Sequence, residues 1–343
     1  MGEVGEFGAT SSELLKRFHR AADDLATGAL RVPRLYRDGF GNRQNLLRVV
    51  EQIRDYDCSL ASPPIELVWT TSERFALRAQ RKTGWFRSPT AHIDLPPESR
   101  VAHVEAIWPH RSPRGVVLHL AASGEVGFLA RRELARALLR YGYASLILEN
   151  PFYGLRKPHG QQHAALRTVS EQFAMNFATV EEGRALLHWL RTQGHRRIGV
   201  TGYSQGGVMA AFCAALSRFP VAVCPRGAAD SVANLFTRDN FSRVILWQRL
   251  SEDVGGELEA RRIFRHALEV VTVSRFPPPV RPEAAVMLSG RHDRFVDPAQ
   301  AEALHAHWPG SELRWMGAGH VTGLVLRLPS HIRAIRDAMA RLG

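Results

Sequence analysis

Cysteine is scarce in this chain: 343 residues contain three, at positions 58, 213 and 224. Three thiols cannot all pair, and none of their spacings is that of a metal-ligand set, so no disulfide framework and no cysteine-built metal centre is expected. That usage suits a reducing, cytoplasmic setting. No run of 18 apolar residues occurs, which excludes a hydrophobic transmembrane helix. The amino terminus carries Glu3, Glu6 and Glu13 and no apolar stretch, so no secretory signal is expected. Lysine is nearly missing, at 16, 82 and 157, and the formal charge of +12 therefore rests on arginine. No window is densely basic and no nucleic-acid-reading motif is present, so nucleic acid is not an expected partner. Arginine spread over a solvated surface is the favoured reading of the charge; weak attraction to an anionic membrane surface is the other. No internal repeat or low-complexity tract occurs. What is left is the composition of a soluble globular protein, 45% hydrophobic and 23% charged. The oligomeric state is not encoded in these features.

Residues 12–30 and 45–56 have helical patterns and precede the first strand signals, which come at 84–88, 101–108 and 115–120. From there helices and strands alternate: helix near 128–141, strand 144–149, helix 169–194, strand 197–201. Such alternation implies parallel βαβ units, with ligands at the carboxyl ends of the strands. A helix-rich stretch at 230–275, ending in Arg275-Phe-Pro-Pro-Pro279, interrupts the pattern and reads as an insertion that caps a pocket. Its Leu235, Phe236, Phe241, Val244, Ile245, Leu246 and Trp247 either wall an apolar pocket or pack the insertion on the body. The expected division is a helical extension at 1–75 packed on the core, then one α/β domain at 76–343 carrying the insertion.

What is most specific in the chain is Gly202-x-Ser204-x-Gly206, set between the apolar strand Ile198-Gly-Val-Thr201 and the small, apolar helix that begins at Gly207. This is the pattern of a nucleophile elbow, a strand-to-helix turn so sharp that a Cβ on either flank would clash. A serine hydroxyl needs a base beside it and an acid to orient that base. On a sheet with such an elbow these follow in the order acid, then histidine. Two stretches supply them. The run Ala284-Ala-Val-Met-Leu288 is a buried strand followed by Asp293 and Asp297; the strand Glu312-Leu-Arg-Trp-Met316 leads into Gly317-Ala-Gly-His320. Ser204 is therefore assigned as nucleophile, His320 as general base and acid, and Asp293 as the orienting carboxylate. Asp297 directly precedes Pro298, which suits a helix N-cap better. Developing negative charge on a carbonyl oxygen needs preorganised N–H donors. The expected ones are the backbone amides of Gln205 and Ala121, with Ala122 the next choice. The chemistry requires no metal and no cofactor.

Longer stretches resemble the alpha/beta-hydrolase domain-containing protein 18 family of α/β-hydrolases. They are Ser145-Leu-Ile-Leu-Glu-Asn-Pro-Phe-Tyr-Gly-Leu-Arg-Lys-Pro158, His119-Leu-Ala with Ser123-Gly-Glu125, Leu186-Leu-His-Trp-Leu190 and Thr201-Gly-Tyr-Ser-Gln-Gly-Gly207. The chain departs from that family in reading Ala-Ser-Gly-Glu at 122–125. The resemblance implies an α/β-hydrolase fold with a mostly parallel, doubly wound sheet, and serine hydrolase chemistry. The expected activity is cleavage of a carboxylic ester, a small-molecule or a lipid acyl ester. A thioesterase, an amidase and a non-catalytic ligand-binding scaffold are the alternatives. Arg156 and Lys157 follow a strand end on the edge where Ser204 lies; they either bind an anionic part of the substrate or pair with Glu149 or another acid to hold their loop.

Overall fold

A computed structural model describes residues 4–28, 34–90, 92–162, 164–238 and 240–342. Nine strands form one sheet in the order β1-β2-β3-β5-β4-β6-β7-β8-β9. They are β1 (Val68–Ala76), β2 (Ala79–Arg87), β3 (Val101–Pro109), β4 (Gly115–Leu120), β5 (Tyr143–Leu148), β6 (Ile198–Tyr203), β7 (Ala222–Arg226), β8 (Val286–Gly290) and β9 (Glu312–Met316). The pairs β1/β2, β2/β3 and β3/β5 are antiparallel; every pair from β5/β4 to β8/β9 is parallel. This is the α/β-hydrolase arrangement expected from the sequence.

Two helices precede the sheet, α1 (Val4–Gly28) and α2 (Arg43–Arg54). The crossover helices are α3 (Leu129–Leu139), α4 (Val169–Thr192) and α5 (Gln205–Ala215). Between β7 and β8 lie α6 (Ala233–Thr237), α7 (Trp247–Val254) and α8 (Glu257–Val270). The chain ends with α9 (Pro298–His307), α10 (His320–Leu326) and α11 (Leu328–Ala340). The end of the first helical pattern, at Leu30, lies outside the described residues.

The central strands are buried along their whole length: β4, β5 and β6 expose no residue. A parallel sheet needs helices on both faces, and its strands are accordingly apolar throughout. One core, with Phe173, Leu186, Leu190, Phe212 and Phe264, joins the sheet to α2, α4, α5 and α8. A second, with Leu134, Leu138, Val286, Ile335 and Met339, joins the other face to α3 and α11. The long α4 starts at a capping box: Thr168 Oγ1 accepts from Glu171 N, and the Glu171 carboxylate accepts from Thr168 N.

The sheet begins earlier than the sequence signals. Strand β1 reads Val-Trp-Thr-Thr-Ser-Glu-Arg-Phe-Ala, lies at the edge and is mostly exposed. Only Trp69 and Phe75, near its two ends, pack against the cores, and the residues between them are polar and exposed, so no apolar alternation reveals it. Residues 68–75, placed with the helical extension on sequence grounds, therefore belong to the sheet.

Candidate active site

Loops from the carboxyl ends of β4, β6, β8 and β9 meet at one edge of the sheet. The first is the turn from β6 into α5, with Ser204 at φ 54° and ψ −121°. Positive φ is costly for a residue with a Cβ, and the neighbours hold it there. Ser204 N donates to Arg226 O at 2.8 Å, which ties the turn to β7. Both flanking glycines are sterically required. A Cβ on Gly202 would lie 2.2 Å from the Gly206 backbone. On Gly206 it would lie 2.5 Å from Leu120 O and 2.6 Å from Ala121 O. The second contact also shows that the loop after β4 rests directly on the elbow.

The β8 loop supplies Asp293. Its Oδ1 accepts from Phe295 N and Val296 N, both at 2.8 Å, and its Oδ2 lies 2.7 Å from His320 Nδ1. Two amide donors thus fix the carboxylate that faces the ring. Asp297 is elsewhere: its Oδ1 accepts from Ala299 N at 3.0 Å and caps α9. The imidazole is further confined by aromatic rings. Phe295 stacks on it at 4.9 Å between centroids, and Tyr203 packs at 5.0 Å. The Tyr203 hydroxyl donates to His320 O. Burial by itself would lower the pKa of His320; the Asp293 charge and hydrogen bond, helped by Asp23, outweigh it and hold the pKa above the ordinary histidine value. With Asp293 ionised, Nδ1 carries the proton of the neutral ring and Nε2 is left as the acceptor.

Ser204 and His320 line the same cavity of about 520 Å³, with Ala122, Ser123, Tyr153, Gln172, Phe241, Phe295 and Leu324. Among the described residues no hydrogen bond closes the step from Ser204 Oγ to His320; the ring bonds to Asp293. A smaller apolar slot of about 70 Å³ also opens at Ser204, walled by Val208, Met209, Val232, Leu235, Phe236 and Val271. Of the apolar residues singled out in the insertion, Leu235, Phe236 and Phe241 reach this site. Val244 is buried away from it, and Ile245 and Trp247 line a separate cleft of about 800 Å³. That cleft also carries Arg20, Arg238, Arg243, Arg261 and Arg294 and touches Asp293 and Phe295.

The other expected site residues are placed as follows. Gln205 is the first residue of α5, so its N–H has no partner within the helix. Its side chain donates to Asn176 Oδ1 at 2.6 Å. Ala121 is fully buried against the elbow. Ala122 N, the second choice of donor, is bonded to the Glu125 carboxylate at 3.0 Å.

Arg156 does not meet a substrate. It is fully buried, its two terminal nitrogens donate to the Glu182 carboxylate at 2.7 and 2.6 Å, and they donate again to Glu149 O and Ser99 O. Both terminal nitrogens are taken, and Nε, which has no partner, is buried out of reach of a substrate, so the substrate-binding reading is corrected in favour of the loop-fixing one. The Glu149 carboxylate, meanwhile, accepts from Gly127 N and Leu155 N, and burial pushes its pKa up. Lys157 is exposed and lines neither cavity at Ser204; the substrate reading is corrected for it too.

Sequence reasoning missed Gln172 and Asn176, which hydrogen-bond to each other at 3.0 Å and border the slot. Their signal was present: two amides one turn apart among the apolar residues of the first half of α4. It also missed Tyr153, Phe295 and Asp23.

The family model described as "Alpha/beta hydrolase domain containing 18" matches residues 33–263 and 255–341. Among solved structures, the acetyl xylan esterase from Paenibacillus sp. R4 is similar at a TM-score of 0.58 and 14% identity, over 88% of this chain and 96% of that one. Acetyl xylan esterase 1 from Thermoanaerobacterium sp. JW/SL YS485 is similar at a TM-score of 0.52 and 14% identity, over the same shares. At that identity the two show the fold alone. No helix among the described residues is long and apolar enough to cross a membrane. With its family match running through β1–β9 and the elbow, the chain belongs to the alpha/beta hydrolase domain containing 18 family.

Proposed function

We propose that this protein is a serine hydrolase that cleaves a carboxylic ester through an acyl-enzyme on Ser204. His320 Nε2 takes the proton of Ser204 Oγ as the oxygen attacks the ester carbonyl. The N–H groups of Gln205 and Ala121 hold the resulting oxyanion. His320 then gives its proton to the departing alkoxide, and the carbonyl–oxygen bond breaks. Water enters, loses a proton to His320 and attacks the acyl-enzyme; the carbonyl–Oγ bond breaks, Ser204 takes the proton back from His320, and the acid leaves. Asp293 keeps the ring in the tautomer that leaves Nε2 free, and it stabilises the imidazolium formed twice per turnover.

One observation carries this reading. A serine held at positive φ opens on the same cavity as a buried histidine whose far nitrogen is 2.7 Å from a carboxylate. Catalytic hydrogen bonds are often long before substrate binds, so the open Ser204–His320 step fits a resting enzyme. The cavity walls support an ester with an apolar part. The 70 Å³ slot beside Ser204, with its apolar walls, would take the smaller apolar part of such an ester. The wider cavity takes the remainder. A substrate with an acidic part would meet the arginines of the neighbouring cleft rather than Arg156; an anionic membrane surface would meet the same groups.

Labelling with a fluorophosphonate tests the reading. The wild-type protein forms one covalent adduct, and Ser204→Ala, folded by circular dichroism, forms none and loses ester turnover. An adduct or turnover undiminished in Ser204→Ala refutes it.

A further inference from the structure

The N-terminal helix reaches into the catalytic edge at one point. Asp23, on α1, is fully buried. Its carboxylate accepts three backbone N–H groups, one from the loop after β8 and two from the start of α10, where the loop after β9 ends. Oδ2 accepts from His320 N at 2.8 Å and from Arg294 N at 3.0 Å; Oδ1 accepts from Val321 N at 2.8 Å. One of those loops carries the general base, and the other carries Asp293 one residue before Arg294. Each amide is within one residue of a member of the proposed triad. A Cβ on Gly319 would lie 2.8 Å from Asp23 Oδ2 and 2.8 Å from His19 O, so α1 sits against the histidine loop with no space between them. A second tie lies one turn earlier, where His19 Nδ1 and Thr322 Oγ1 share a hydrogen bond of 2.8 Å.

We propose that Asp23 is a positioning residue: a single carboxylate from the N-terminal helix clamps the His320 and Asp293 loops together and sets the alignment of the base. The proposal rests on the serine-hydrolase reading above. Its physical basis is simple. The loops after β8 and β9 are joined near their strands by His292 N–H to Ala318 O at 3.1 Å; beyond that point the Asp293–His320 hydrogen bond and the charged acceptor shared by both loops hold them in register. Small errors in such alignment are expensive in rate. The same negative charge lies beside the imidazole and favours its protonated form. Asp23 lines neither cavity at Ser204, so it acts through His320 and not on the substrate.

The test is the rate of fluorophosphonate labelling of Ser204 against pH, in the full chain, for wild type, Asp23→Asn and Asp23→Ala, normalised to folded protein. Both variants are expected to label about tenfold more slowly or worse, in line with the cost of misplacing a catalytic group. The acid limb moves to lower pH, because a negative charge near His320 is gone. KM for a neutral ester stays within about twofold, uniform binding being untouched. In proton NMR the downfield His320 Nδ1–H resonance shifts or broadens. A residue that only anchored α1 would lower the melting temperature and leave the pH profile, the resonance and the rate per folded molecule where they were; that outcome overturns the proposal. Should Asp23→Ala not fold, Asp23→Asn, which keeps the shape and removes the charge, decides. Ser204→Ala runs beside them: labelling that survives there defeats the serine-hydrolase reading, whereas its loss with an unmoved Asp23→Asn defeats the clamp alone.

Discussion

Replacing Arg156 by alanine separates its two possible roles in a single experiment. Both partners of the Arg156–Glu182 pair have fully buried side chains, with Nη–Oε distances of 2.6 and 2.7 Å. Removing one partner leaves the other as an uncompensated buried charge, at a cost of about 3–5 kcal/mol. Unfolding entropy near 60 °C is about 2.1 cal/mol/K per residue, or roughly 0.7 kcal/mol/K for a chain of this length, so Tm should fall by about 4–7 °C. Arg156→Lys keeps the charge and loses the fork that serves Glu182, Glu149 O and Ser99 O together, and should fall between the two. Arg156→Met combined with Glu182→Leu removes both charges and should recover much of the loss. The assay is thermal unfolding alongside KM for a matched pair of neutral and anionic esters. Stability should drop with the KM ratio unchanged. A selective rise in KM for the anionic ester at an unaltered Tm would return Arg156 to the substrate and refute the reasoning from burial.

Other outcomes follow from the same geometry. Asp293→Asn should cut kcat by orders of magnitude, because an amide facing His320 Nδ1 favours the wrong tautomer. Asp297→Ala should cost about 1 kcal/mol of stability through the lost cap of α9 and little rate; comparable kcat losses in the two would disprove the distinction. The acid limb of kcat/KM should lie above the ordinary histidine pKa, since His320 must be neutral to act and the native state holds its proton more tightly. His331 behaves in the opposite sense. Burial first, then the Arg226 charge, depress its pKa to about 3. The unfolded chain therefore takes up a proton that the native one refuses, and stability is lost as pH falls from about 6.5 toward 3, by about 1.4 kcal/mol per pH unit for that group. Chemical denaturation of His331→Gln across this range should show a shallower slope, and an unchanged slope would exclude the residue.

Much of this protein can be read without coordinates, wherever the chemistry is local. An apolar strand, two glycines that no larger residue could replace and a serine between them define the elbow within eight residues, and the alternation of strands and helices defines the sheet around it. Asp293 and His320 can be found because each lies within four residues of a strand end. The edge strand β1 escaped, since only Trp69 and Phe75 of it meet the cores and its exposed middle need not alternate. Arg156 and Asp23 were decided by the tertiary structure alone. A charged side chain reads the same in a sequence whether water or a carboxylate surrounds it, and only packing tells the two apart. Glu182 neutralises Arg156 from a helix 26 residues away, and Asp23 receives its amides from loops 271 to 298 residues further on. Local propensity carries the elements; the partners of a buried charge are set by which loops the sheet brings to one edge.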